Sequence, residues 1–336
     1  MKKIFLAVIA AVSVLGTLTS CDSKTGNSTT SGAATIVCDK SFENIMNQEI
    51  DVFESIYPKV SIGCQYVSQA EALQRLLSGD TRMAVVGRDL TNAEKDRLKR
   101  DNKTKNVRSM KIAVDAVALI VNPENPVSKL SMEEISNILS GKINNWSQIQ
   151  PGAPDKRIRV MVDDPGSGLA TYMRDKLMKG APFDTNVVVN AGSVKAIFER
   201  VKTSPYAIGV IGVSWLTTDL STYSDHNTAD ETEKLVAELK NDEAIDGAEI
   251  NKRMEESGVK TIRVMNNSMM AYAPSQENIY SGDYPLTRPI FMITTASPGG
   301  PLGGFYSFVT GKDGQRLIMK TGIMPARVNV QVYEVN

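Results

Sequence analysis

The sequence predicts an α/β protein whose mostly parallel sheets are covered by helices, and two observations carry the prediction. From Ala34 onward, short runs rich in β-branched residues alternate with segments whose apolar residues recur at helical spacing, the pattern of repeated strand–helix units. The length, 336 residues, suits about two domains, and 42% hydrophobic with 23% charged residues is an ordinary globular composition.

The elements follow in order. Met1, Lys2 and Lys3 precede an apolar run from Ile4 to Leu15, too short to span a bilayer, so 1–20 reads as a secretory signal peptide. Leu18-Thr19-Ser20-Cys21 resembles a lipobox, which predicts cleavage before Cys21 and a diacylglyceryl group on its thiol. The Ser-, Thr- and Gly-rich stretch that completes 21–34 has the composition of a flexible tether, placing the folded body outside the cytoplasm on a membrane anchor. Strands are predicted at 35–38, 60–66, 83–86, 116–121, 157–162, 187–189, 207–211, 260–265 and 288–294. Helices are predicted at 42–55, 70–78, 92–100, 132–140, 169–178 and 194–201. The charged, weakly periodic stretch 222–258 reads as an exposed, partly helical insertion, with His226 as a surface histidine. Cys38 and Cys64 each follow or lie in a β-rich run; neighbouring parallel strands would allow them to pair, and two separately buried thiols fit equally.

Composition excludes several functions. Lys+Arg and Asp+Glu both number 38 and aromatics are 6%, so there is neither basic excess nor stacking surface for nucleic acid. One histidine and three cysteines are too few for a zinc site of the usual ligands, and neither metal nor cofactor is expected. No histidine lies near a candidate serine and no lysine follows one by three residues, so no activated nucleophile, and no enzyme, is read.

The chemistry lies in loops that open helices. In Asp163-Asp164-Pro165-Gly166-Ser167-Gly168 a strand ends, two glycines bracket a serine and a helix begins; free N–H groups there suit an oxyanion, although a simple N-cap serine fits the same residues. Asp39-Lys40-Ser41-Phe42 is a second strand-to-helix turn. Gly87-Arg88-Asp89 is a third, where Arg88 offers a fork for a tetrahedral anion or else pairs with Asp89 or Glu94.

Several long stretches resemble the substrate-binding proteins of phosphate ABC importers, within the two-lobed periplasmic binding proteins: 115–127, 138–146, 207–212, Gly282-Asp283-Tyr284-Pro285-Leu286-Thr287-Arg288-Pro289, and 311–322. The resemblance runs from about Thr35 to Val332. It implies two α/β lobes joined by crossover strands: lobe 1 from 35–115 with 270–336, lobe 2 from 116–269, hinges near 114–118 and 266–273, and the ligand between them. Residue by residue, Ser41 matches the family's first-lobe hydroxyl donor, the Phe42 amide its backbone neighbour, Ser68 roughly a second hydroxyl, and Ser167 with Gly168 the second-lobe serine and amide.

There are departures. Asp163 stands where better-known members place an arginine, Leu169 where they have threonine, and Gly87 where many have serine or aspartate. A carboxylate beside a dianion is costly in a dry cleft. Charge compensation is expected from Arg88, with Lys40 and Arg174 as weaker candidates, while Asp163 could accept a proton-bearing oxygen of the ligand. The resemblance therefore implies a monomeric lipoprotein that captures inorganic phosphate or a similar small oxyanion and delivers it to an ABC permease of the inner membrane. A sensor, scavenger or adhesin of the same fold, with another ligand or none, is the alternative that Asp163 favours.

Overall fold

The structure, a computed structural model, describes residues 27–101, 107–220, 226–241 and 247–327; the expected signal segment 1–20 and Cys21 lie outside these residues. A turn closed between Ser28 and Ser31 leads into β1 (Gly32–Asp39), so the first strand begins within the segment expected as tether. It is followed by α1 (Glu43–Ile56), β2 (Val60–Val67), α2 (Gln69–Ser78), β3 (Met83–Val86) and α3 (Asn92–Asp101). Strand β1 pairs in parallel with both β2 and β3, so the helix-bearing crossovers leave the β1–α1 and β3–α3 loops at one edge, beyond the carboxyl ends of the strands.

Strand β4 (Arg108–Val121) is the pivot of the architecture. Its sequence Ile-Ala-Val-Asp-Ala-Val-Ala-Leu-Ile-Val is apolar on both faces apart from Asp115, and most of it is buried, as a strand covered on two sides requires. Sequence reading assigned only 116–121; the strand runs 14 residues because its first half serves one lobe and its second half the other. The second lobe comprises β5 (Lys129–Ser131), α4 (Met132–Leu139), β6 (Arg159–Val162), α5 (Gly168–Met178), β7 (Val188–Asn190), α6 (Val194–Thr203) and β8 (Ala207–Gly212). Within it β6 is parallel to β7 and β8, and β8 lies antiparallel to the second half of β4.

After β8 come α7 (Ala229–Lys240), α8 (Gly247–Glu256) and β9 (Lys260–Thr261), which pairs with β4. The predicted strand 260–265 is split, because β10 (Arg263–Met265) leaves β4 to form a small sheet with β5 and β11 (Ala271–Tyr272). The chain then returns to the first lobe through α9 (Gln276–Ser281), β12 (Thr287–Thr294), α10 (Pro301–Val309), α11 (Lys312–Lys320) and β13 (Met324–Pro325). Strand β12 lies antiparallel between β3 and β4, giving the order β2-β1-β3-β12-β4-β8-β6-β7. The result is two α/β lobes sharing one strand.

Within the charged stretch, α7 and α8 are mostly exposed, matching the expected exposed and partly helical character, and α7 in addition docks on the first lobe. Val236 and Leu239 of α7 pack with Val52 of α1 and Leu317 of α11. Asp51 of α1 accepts from the Asn227 N–H at 2.8 Å and faces the His226 ring at 2.7 Å, while Lys320 pairs with Glu238. His226 remains a surface residue, as expected, with its side chain 64% exposed.

Helix α1 carries an ionisable group that the core tolerates poorly. Glu49 is 1% exposed and neither carboxylate oxygen has a hydrogen-bond partner; burial, and then the charge of Asp313, push its carboxyl well above the ordinary carboxylate range. A carboxyl raised on folding binds a proton that the unfolded chain releases, so stability falls as pH climbs from the unfolded value near 4.5 towards the folded one. Glu49→Gln is expected to raise unfolding free energy at pH 7 by about 1–3 kcal/mol, with the gain vanishing below pH 4.5. Paired urea titrations at the two pH values measure this, and an equal gain at both would contradict it.

Candidate functional site

The site lies where the β1–α1 turn of the first lobe meets the β6–α5 turn of the second, beside the shared strand. Strand β1 ends at Asp39, whose side chain accepts the Ser41 N–H at 3.1 Å and so starts a short 3-10 turn over Lys40–Phe42. Opposite, β6 gives way to Asp163, a tight turn closed by the Ser167 N–H on the Asp164 carbonyl, and α5. Ser167 is the N-cap of α5: its hydroxyl oxygen accepts the Ala170 N–H at 3.2 Å while its O–H donates to Asp163 at 3.0 Å. Both serines are buried.

The guanidinium of Arg288 anchors the arrangement. Its Nε and Nη2 donate to Oδ2 of Asp115 at 3.0 and 2.8 Å, Nη1 donates to Ser41 Oγ at 3.0 Å, and its plane lies 4.3 Å from the Phe42 ring centroid. Asp115 and Arg288 stand opposite each other in the β4–β12 register, so strand pairing itself brings them together. Each side chain is 1% exposed.

The remaining charges are acidic. Asp39 is fully buried, and its Oδ2 lies against Gly168 so closely that a β-carbon on that residue would stand 1.7 Å away. A side chain at that position would have to push the Asp39 carboxylate aside. Burial pushes the carboxyls of Asp39, Asp115 and Asp163 upward, and the Arg288 charge pulls each back. Across the lobes the Tyr172 hydroxyl of α5 donates to the Thr287 carbonyl of β12 at 2.9 Å.

The structure brings together five of the residues singled out in the sequence, namely Ser41, Phe42, Asp163, Ser167 and Gly168. Arg88 is elsewhere engaged: its guanidinium grips both oxygens of Glu94 at 2.9 and 2.8 Å, and that pairing holds the Glu94 carboxyl down at about 2. The alternative reading of Arg88, a surface arginine paired with Glu94, is the one observed. Lys40 points to solvent, and Arg174 donates to Thr171 on its own helix. Ser68 caps α2 by accepting the Glu71 N–H at 3.2 Å, and Gly87 donates its N–H to the Gln69 side chain at 2.7 Å. The residues that sequence reading missed are Asp39, Asp115 and Arg288. All three stood inside stretches quoted above, and for Asp115 the signal was a charged residue in the middle of an otherwise apolar run of β4.

Cys38 and Cys64 are free thiols on the paired strands β1 and β2. Among the described residues no group of three or more His, Cys, Asp and Glu could hold a metal ion, and no helix is long and apolar enough to cross a membrane.

Comparison with known proteins bears on the family and the fold. Residues 23–313 match the model of the PBP superfamily domain. The chain is 21% identical over 315 residues to the phosphate-binding protein PstS of Pseudomonas aeruginosa, covering 89% of this chain and 85% of that one. It is 23% identical to PstS of Borreliella burgdorferi, with 72% of each covered. A crystal structure of a putative phosphate ABC transporter substrate-binding protein with bound phosphate, from Clostridium perfringens, superposes with a TM-score of 0.62 at 20% identity, covering 88% of this chain and all of that one.

The two arginines should behave oppositely. Arg288→Met leaves the buried Asp115 carboxylate unpaired and is expected to cost about 3–5 kcal/mol of stability. Arg88→Met removes a half-exposed pair and is expected to cost under about 1 kcal/mol. Denaturant titration of both variants checks the contrast, and comparable losses would refute the placement.

Proposed function

The chain belongs to the PBP superfamily, and from that membership together with the site we propose that it captures phosphate between its lobes and delivers it to an ABC importer. The observation that carries the proposal is the meeting of two buried serine turns, Ser41-Phe42 seated on Arg288 and Ser167-Gly168 across the lobe boundary from Asp39. The PstS relatives and the phosphate-bound neighbour support phosphate as the oxyanion.

The mechanism is capture without a bond made or broken. When the lobes close, water around the anion is replaced by fixed hydroxyls and backbone N–H groups, which are stronger donors in a dry site than in solvent. No activated nucleophile is assembled: Ser167 donates to a carboxylate, and the chain's one histidine faces Asp51 on the docked insertion. Membership of the PBP superfamily and the PstS relatives support a binding protein and not an enzyme. The protein acts outside the cytoplasm, as a monomer held near its permease by lipid on Cys21, and the permease reads the rims of the closed lobes.

Asp163 gives the site a preference. Its carboxylate can accept a proton-bearing ligand oxygen, which hydrogen phosphate offers and sulfate at neutral pH does not. The carboxylates of Asp39 and Asp163 are also what favours the second reading, a sensor, scavenger or adhesin with a different ligand or none.

Equilibrium dialysis with labelled phosphate, challenged by sulfate, molybdate and phosphonates, separates the two readings. Phosphate is expected to bind at least tenfold more tightly than sulfate, and Ser41→Ala and Ser167→Ala to weaken it by about 1 kcal/mol each, about fivefold. Indifference to phosphate, or equal affinity for sulfate, would end the proposal.

A further inference from the structure

Asp39 does more than cap its own turn. It is the last residue of β1, fully buried, and only one of its oxygens is used locally, Oδ1 accepting the Ser41 N–H at 3.1 Å. The other, Oδ2, has no side-chain partner and is driven across the lobe boundary against Gly168, the first residue of α5, whose backbone N–H pulls the Asp39 carboxyl down against its burial. That helix start is where a second-lobe oxyanion would sit, because the first N–H groups of a helix lack partners within it and carry partial positive charge. A negatively charged group of the protein already stands in that place.

We propose that Asp39 is a resident anion: its carboxylate takes the seat at the start of α5 that a captured oxyanion would take, so a ligand enters only by displacing it. The inference rests on reading the cleft as an oxyanion site. It assigns Asp39 a role distinct from that of Asp163, which belongs to the second lobe and holds the Ser167 hydroxyl on Oδ1. The groups that face this region from the packed elements are Arg288 on β12, Asp115 on β4, Asp163 before α5, Tyr172 on α5 and the thiol of Cys38. Arg288 is the one cation among them and is already bound to Asp115. Asp39 in the seat therefore gives the second lobe an anion to close upon, and it sets the affinity an incoming anion must exceed.

The test uses the full chain and inorganic phosphate. Asp39→Ser keeps an oxygen that can cap the Ser41 N–H but ends one bond short of the carboxylate, and it is expected to bind phosphate at least tenfold more tightly than the wild type at pH 7. Asp39→Asn removes the charge at constant size and is expected to shift affinity in the same direction by less; it serves if the serine variant does not fold. Equal or weaker binding by the folded variants overturns the proposal and leaves the oxyanion reading standing. If neither wild type nor variant binds phosphate, the oxyanion reading fails, and small-angle X-ray scattering decides the contact. A larger radius of gyration for Asp39→Ser than for the wild type then supports Asp39 as the group joining the lobes, and an unchanged radius overturns it.

Discussion

A guanidinium sealed inside the protein organises everything around it. Arg288 and Asp115 face each other across paired strands, and both are removed from water. An ion pair in such a place is tolerated only when its hydrogen bonds are nearly complete, and that requirement fixes its neighbours. Ser41 must present its oxygen to Nη1, and the Phe42 ring must cover the flat face. The β1–α1 turn is therefore set from beneath by a residue far away in the chain. Because β4 continues into the second lobe, the same pair also stands at the boundary where the β6–α5 turn arrives.

The charge balance that results is unusual for the anion-holding cleft proposed above. Its arginine is consumed by a structural partner, and the remaining carboxylates belong to opposite walls. Attraction must then come from dipoles: serine hydroxyls, backbone N–H groups and the first turn of α5. Such donors do not compensate a full negative charge, but they discriminate by position, favouring a small tetrahedral guest whose protons match the carboxylates. This is a physical route to selectivity that needs no surplus of cations.

Much of the fold was legible in advance because its signals are local. The N-cap reading of Ser167 rests on a short-range device, and the serine caps α5 in the structure. The alternation of strands and helices likewise gave the class. What escaped depends on pairing over long range. Arg88 and Arg288 carry the same chemistry in sequence, but Glu94 lies only six residues from the first and claims it, whereas the second finds Asp115 through a strand pairing 173 positions apart. The docking of α7 could not be read because its apolar residues are sparse; a few of them, Val236 and Leu239, suffice once Val52 and Leu317 are aligned opposite.

The sharing of β4 bears on the order in which the molecule can be assembled. The second lobe's β5 to β8 and its share of β4 are contiguous in the chain, so that half can take shape as soon as its own segment has been synthesised. The first lobe cannot, since β12 must slot between β3 and β4 and arrives late from the ribosome. Contacts between remote segments form slowly because a long loop has to close first. The early half of the nascent chain is thus left with exposed strand edges until its tail appears, a window in which a helper protein or a translocation channel can still hold it extended.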